Sequence, residues 1–186
     1  MEVLEKMLTY KEYREMEFDD DDNFQYELIN GELMRKASPT LQHQRICGNI
    51  YFWMRAFVQE NQAGEVFAAP LDVVLNEYNS PQPDVFFVGN DKKHILDEVE
   101  QVVTGIPDIV VEVLSPGAIK KDRITKRKVY ERCGVPEFWV VDPSYRSVEV
   151  FQLKEGSYEL LDFVEEVGSI KSIVLAGFEL SLDKVF

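Results

Sequence analysis

The sequence of 186 residues is short of the side chains that build redox and zinc chemistry, with two cysteines and two histidines. Cys47 and Cys133 lie in segments of helical pattern, and neither belongs to a CxxC pair or a Cys/His ligand spacing. Both are therefore expected as buried free thiols rather than zinc ligands or a disulfide. No run approaches the roughly 18–20 uninterrupted apolar residues of a membrane-spanning helix. The acidic start Met1-Glu-Val-Leu-Glu-Lys6 lacks the basic and apolar regions of a signal peptide, so the cytoplasm is the expected compartment and no membrane is involved. There is also no P-loop, no GxSxG elbow and no HExxH helix, and nothing favours chemistry on a small molecule. Basic charge is scarce: 20 Lys and Arg stand against 34 Asp and Glu, a net charge of -14. A surface of that sign repels a polyanion unless its basic residues are gathered locally.

They are gathered. Seven of the twenty, Lys120, Lys121, Arg123, Lys126, Arg127, Lys128 and Arg132, fall within one short helical segment. The acidic run from Asp19 to Asp22 reads as a solvated linker, since the Gly and distal Glu of a calcium loop are missing. With 45% hydrophobic residues, the chain can bury one sizeable core, and residues 1–186 are expected to form a single domain.

Thr9-Tyr-Lys-Glu12 has the spacing of a capping box and predicts a short helix to about Met16. Asn30-Gly31, set between alternating apolar runs, predicts a two-residue hairpin in which Ile29 faces Glu32 and Glu27 faces Met34. Both glutamates then share one face, which on a short hairpin is ordinarily its solvent side. Ile46, Ile50, Trp53, Met54 and Phe57 recur at helical spacing and predict a long helix from about Leu41 to Asn61, with Gly64 as its stop. His43 sits in its first turn, placed either to reach a site or to hydrogen-bond the preceding loop. Strands are expected over Val66–Leu75, Asp84–Val88, Ile109–Leu114 and Glu137–Val141, with a helix from Lys120 to Cys133 closed by Gly134. A second hairpin is expected from 147–153 and 157–164, followed by a short strand near Ile170–Leu175.

Three positions break these patterns. Glu112 interrupts the apolar run Ile109-Val-Val-Glu-Val-Leu114, and a carboxylate in the middle of a buried strand costs several kcal/mol unless a cation compensates it. Asp84 follows Ser80-Pro-Gln-Pro83 and opens the apolar strand Val85-Phe-Phe-Val88. Two acids on neighbouring strands can converge on one hard cation through oxygen ligands. On the basic helix, Asp122, Lys126, Val129, Tyr130 and Cys133 fall on one stripe at about 100° per residue, so Lys126 faces the sheet while Lys128 faces solvent. An inward lysine needs a negative partner, for which both Glu112 and Asp122, one turn earlier, are candidates.

Gln82-Pro-Asp84, Val111-Glu-Val-Leu-Ser-Pro116, the series Asp122, Lys126 and Tyr130, and Gly134-Val-Pro-Glu-Phe-Trp-Val-Val-Asp-Pro143 together resemble the Uma-two family of restriction endonucleases. Tyr26-Glu-Leu-Ile-Asn-Gly-Glu32, Ser38-Pro39 and His43 extend the resemblance, which covers roughly residues 9–153. That family belongs to the PD-(D/E)XK nuclease superfamily. The resemblance implies an α/β (mixed α+β) fold with a central mixed sheet flanked by helices, a core of about residues 26–153, and added terminal hairpins. It implies Asp84 and Glu112 as metal-binding acids, with the main-chain carbonyl of Val113 as a third ligand for Mg2+ or Mn2+. Residue 114 is Leu rather than the lysine of the superfamily's simplest pattern, so the catalytic lysine is implied to have moved to Lys126, and an N-terminal acid, Glu27 or Glu32, completes the site. Arg123, Arg127 and His43 are expected to bind substrate. The implied partner is nucleic acid, DNA before RNA, and a homodimer is expected by analogy because twofold symmetry matches a duplex. The alternative is a catalytically silent binding or assembly module on the same fold.

Overall fold

The computed structural model describes residues 7–18, 24–36, 38–115 and 120–186, with side chains in the last stretch from Ile124 onward. The Thr9 capping box starts helix α1, Tyr10–Arg14. Strands β1 (Tyr26–Ile29) and β2 (Glu32–Arg35) form a hairpin in the expected register, Glu27 against Met34 and Ile29 against Glu32. Its turn puts Asn30 at φ 54° and Gly31 at φ 73°, the left-handed pair that Asn-Gly tolerates best. Thr40 caps helix α2, Leu41–Glu60, and β3 (Gly64–Ala68) follows. Next come β4 (Val85–Gly89), the two-residue pair β5 (Leu96–Asp97) and β6 (Val102–Val103), and β7 (Ile109–Val113). Helix α3 (Lys120–Cys133) leads to β8 (Glu137–Asp142), β9 (Ser147–Lys154), β10 (Ser157–Glu165), β11 (Ser169–Lys171) and β12 (Glu179–Ser181).

Six strands make one mixed sheet in the order β10-β9-β8-β7-β4-β3. Only β7 and β8 are parallel in it, and α3 forms the crossover that a parallel pair requires. Strand alternation sorts the core into two layers. Val85, Phe87, Ile109, Val111 and Val113 pack with Ile46, Ile50 and Met54 of α2 and with the C-terminal segment, including Leu180 and Val185. Phe86, Val88, Val110, Phe138 and Val140 pack on the other face with Val129 and Tyr130 of α3 and Ile29 of the hairpin. Ile124 and Lys128 are exposed and Val129 and Tyr130 buried, as the helical stripe requires. The β10 edge carries Glu159, Asp162 and Glu165.

Three expectations are revised. The strand expected over 66–75 leaves the sheet after Ala68, at Pro70, which has no amide hydrogen for a ladder. Residues beyond it make single bridges, Leu28 to Ser80 and Val73 to Val103. Gly64 does not stop α2: the chain turns at Asn61 and Gln62 (φ 50°), and Gly64 opens β3, where a Cβ would collide with the Val88 carbonyl oxygen. The last expected strand ends at Lys171 because the Ser172 hydroxyl accepts from the Leu175 amide and turns the chain toward β12. One buried acid carried no warning: the Glu137 carboxylate accepts from the Trp139 indole (2.7 Å) and from the amides of Ile173 and Val174 (2.9 and 3.0 Å), clamping the C-terminal segment to the sheet.

Candidate active site

Glu112 projects from the β7 face that meets α3, two residues from Val110 on the same side. Lys126, on the inward stripe of α3, reaches it with Nζ at 3.0 and 3.1 Å from the two carboxylate oxygens. Tyr130, one turn later, donates its hydroxyl to Glu112 Oε1 at 2.6 Å. The same ammonium donates to Glu27 Oε1 at 2.9 Å. Glu27 is 4% exposed and also accepts from the Gln82 amide at 2.7 Å. One carboxylate thereby ties the hairpin to the segment that leads into Asp84.

Asp84 lies just ahead of β4, at the position that would face Glu112 if the β4–β7 register ran one pair further. Its Oδ2 accepts from the Val113 amide (2.8 Å) and meets His43 Nε2 at 3.2 Å. The carboxylate thus continues the ladder with a side chain, and among the described residues its other oxygen accepts no hydrogen bond. His43 Nδ1 lies 3.4 Å from Cys47 Sγ, one turn along α2. Lys36 completes the group: Nζ donates to the Gln82 carbonyl at 2.9 Å and lies 3.8 Å from Glu27 Oε1.

The electrostatics follow from this packing. Burial acts against the Lys126 ammonium, but Glu112, Glu27 and Asp84 together outweigh it and hold its pKa above that of a free lysine. Burial, with repulsion from Asp84 and Glu27, raises the Glu112 carboxyl despite the pull of Lys126. Burial of Asp84 is overcome by the hydrogen bond and charge of His43, which lower its pKa, and the same contact raises that of His43 against its own burial. Three carboxylates therefore face two ammoniums and an imidazole.

The fold brings Glu27, Glu112 and Lys126 into direct contact, and Asp84 into contact with His43 and the Val113 amide. Glu32 is exposed beside the hairpin turn. The Arg127 guanidinium stacks over Phe151 of β9, 4.1 Å from the ring centre, with no described contact to the carboxylates. Arg123 and Asp122 fall outside the described side chains. Lys36, Tyr130, Gln82 and Cys47 carry contacts that the sequence reading did not assign. Three had a readable signal: Lys36 continues the period-2 face of Met34, Tyr130 lies four residues beyond Lys126, and Cys47 four beyond His43.

The carboxylate oxygens of this group are donors of the kind that a hard divalent cation takes. Among the described residues Asp84 Oδ1 accepts no hydrogen bond, Glu112 lies across the ladder with both oxygens on Lys126, and each carboxylate oxygen can accept more than one partner. Separately, His43, Cys47 and Asp84 can each offer one donor atom within 4.8 Å of the others.

A family model described as "Putative restriction endonuclease" matches residues 10–183. The fold matches a crystal structure of a "putative nuclease" from Anabaena variabilis, with a TM-score of 0.76, 20% identity and coverage of 96% of this chain and 97% of that one. No curated protein matches the chain. Among the described residues, no helix is long and apolar enough to cross a membrane.

Proposed function

Because the chain belongs to the Uma2 family of restriction-endonuclease-like proteins, we propose that it is a metal-dependent endonuclease hydrolysing the phosphodiester bonds of nucleic acid, DNA before RNA. The observation that carries this reading is Lys126, an ammonium seated between Glu112 and Glu27 near an Asp84 whose Oδ1 accepts no hydrogen bond among the described residues. Asp84, Glu112 and the Val113 carbonyl would hold Mg2+ or Mn2+, which supplies Lewis-acid activation of water and withdraws phosphate charge.

The chain's own residues do the rest. Lys126 stays protonated, so it serves as a fixed cation beside the reacting phosphate rather than as a base, and it stabilises charge developing on oxygen. Glu27 and Tyr130 set its reach by holding Nζ and the Glu112 carboxylate. His43 and the Val113 amide orient Asp84 through Oδ2. Basic residues elsewhere on α3 would contact the phosphate backbone, which positions a substrate without reading its sequence.

Incubation of the purified chain with plasmid DNA and Mg2+ or Mn2+ tests this. Cleavage should appear, stop with a chelator, and fall by about 100-fold or more in Asp84→Asn, Glu112→Gln and Lys126→Ala. Full cutting by folded variants would remove the reading. The near balance of charge in the group also suits a binding module that does not cut, and DNA binding with no cleavage under any divalent metal would establish that instead.

A further inference from the structure

We propose, resting on the nucleic-acid reading above, that Lys36 is the ammonium that donates directly to a phosphate oxygen of nucleic acid bound at the acidic site, while Lys126 holds the acids in place. A lysine ammonium carries three N–H donors and no acceptor. Lys126 Nζ uses a full set on carboxylate oxygens, Glu27 Oε1 at 2.9 Å and Glu112 Oε1 and Oε2 at 3.0 and 3.1 Å. It has no N–H left for a ligand unless it gives up one of these bonds. Lys36 Nζ makes one hydrogen bond, to the Gln82 carbonyl at 2.9 Å, and Glu27 Oε1 at 3.8 Å is a charge contact rather than a hydrogen bond. Among the described residues, two of its N–H groups are therefore unspent.

The fold fixes where those donors sit. Lys36 follows β2, and its amide extends the hairpin by one more bond, to the Gln25 carbonyl at 2.8 Å. Its side chain is 18% exposed, and the chain from Ser38 to Gln42 is open to solvent. Lys36 and Lys126 flank the same Glu27 oxygen, and the charge of Lys36 acts on His43, Asp84 and Glu112 together. Its anchor, Gln82, stands two residues before Asp84. A partly exposed ammonium in this place offsets the repulsion that three carboxylates exert on an incoming phosphate, and it supplies charge-assisted hydrogen bonds to it. Held by one carbonyl on a flexible four-carbon stem, Lys36 can turn to a phosphate and leave the Lys126 network intact.

Fluorescence anisotropy of a labelled DNA duplex with the full chain, in Ca2+ rather than Mg2+ and with KCl varied, tests the contact by binding alone. Lys36→Met should bind more weakly and lower the slope of log K against log [KCl] by about 0.9, the loss of one neutralised phosphate. Lys36→Arg should keep the slope. A purely structural Lys36 instead predicts a lower melting temperature with the wild-type slope. In the wild type, where no variant has to fold, bound duplex should protect Lys36 from acetylation. Lys93, beyond the opposite end of β4 from Asp84, should label equally with and without it. An unchanged slope in folded Lys36→Met, acetylation of Lys36 indifferent to duplex, or a wild type that binds no duplex would overturn the contact. A wild type that binds with these signatures yet cuts under no divalent metal defeats the nuclease reading alone.

Discussion

Lys126 and Glu27 lie 99 residues apart in the chain and 2.9 Å apart in the fold. The contact joins the N-terminal hairpin to the crossover helix through the one ammonium that also grips Glu112. Its side chain is only 15% exposed, so the charges it neutralises are poorly served by water. Lys126→Met leaves Glu27 and Glu112 without their shared cation. It should cost about 3 kcal/mol, the low end of what breaking a buried ion pair costs. Urea unfolding of the variant measures that loss.

Glu27 and Glu32 should separate cleanly in function. Glu27→Gln removes a charge held by Lys126 and the Gln82 amide, and plasmid cleavage should drop sharply. Glu32, exposed beside the turn, should tolerate the same change with cutting retained and stability within about 0.5 kcal/mol of wild type. Cleavage and thermal melts of the two variants side by side decide it.

The division between what was legible in the sequence and what was not follows physical lines. Glu112 was readable because a charge inside a β-strand buried on both faces has few tolerable explanations, and Lys126 because helical periodicity alone gives its direction. The choice between Glu27 and Glu32 was not readable, since strand alternation puts both on one face. Docking of the hairpin against the Gln82 segment then buries one and leaves the other in water. Gln82 donates through its main chain, which no side-chain pattern reveals. Cys47 and Cys133 are free thiols, as the lack of a CxxC pair leads one to expect, but they are half-buried rather than buried. The strand expected to run through Pro70 failed for the opposite reason: its apolar content was right, but a single missing amide hydrogen ends the ladder.

Glu137 should prove structural rather than chemical. Its carboxylate satisfies an indole and two amides in a site with no water exposure. Glu137→Ala leaves those donors unpaired and should destabilise the fold by about 2–4 kcal/mol, the combined effect of lost charged hydrogen bonds and stranded polar groups. Chemical denaturation measures the loss, and amide exchange at Ile173 and Val174 should accelerate.

Alkaline pH should weaken the attachment of α1. Burial, then the charge of Asp72, lifts the Tyr10 phenol from 10.0 to about 12, against the opposing pull of Arg14, and its hydroxyl donates to Asp72 at 3.1 Å. A folded pKa raised above the unfolded one means that the neutral phenol stabilises the fold fully below pH 10. That contribution is then lost as the pH climbs through 12. Tyr10→Phe should lack this component, so stability measured between pH 10 and 12 should fall less steeply in the variant than in the wild type.

At the far side of the sheet, the outermost strand pairs only with β9 among the described residues and bears Glu159, Asp162 and Glu165 along its length. A second molecule adding itself there in antiparallel fashion would set acid beside acid, the means by which natural sheets discourage open-ended stacking.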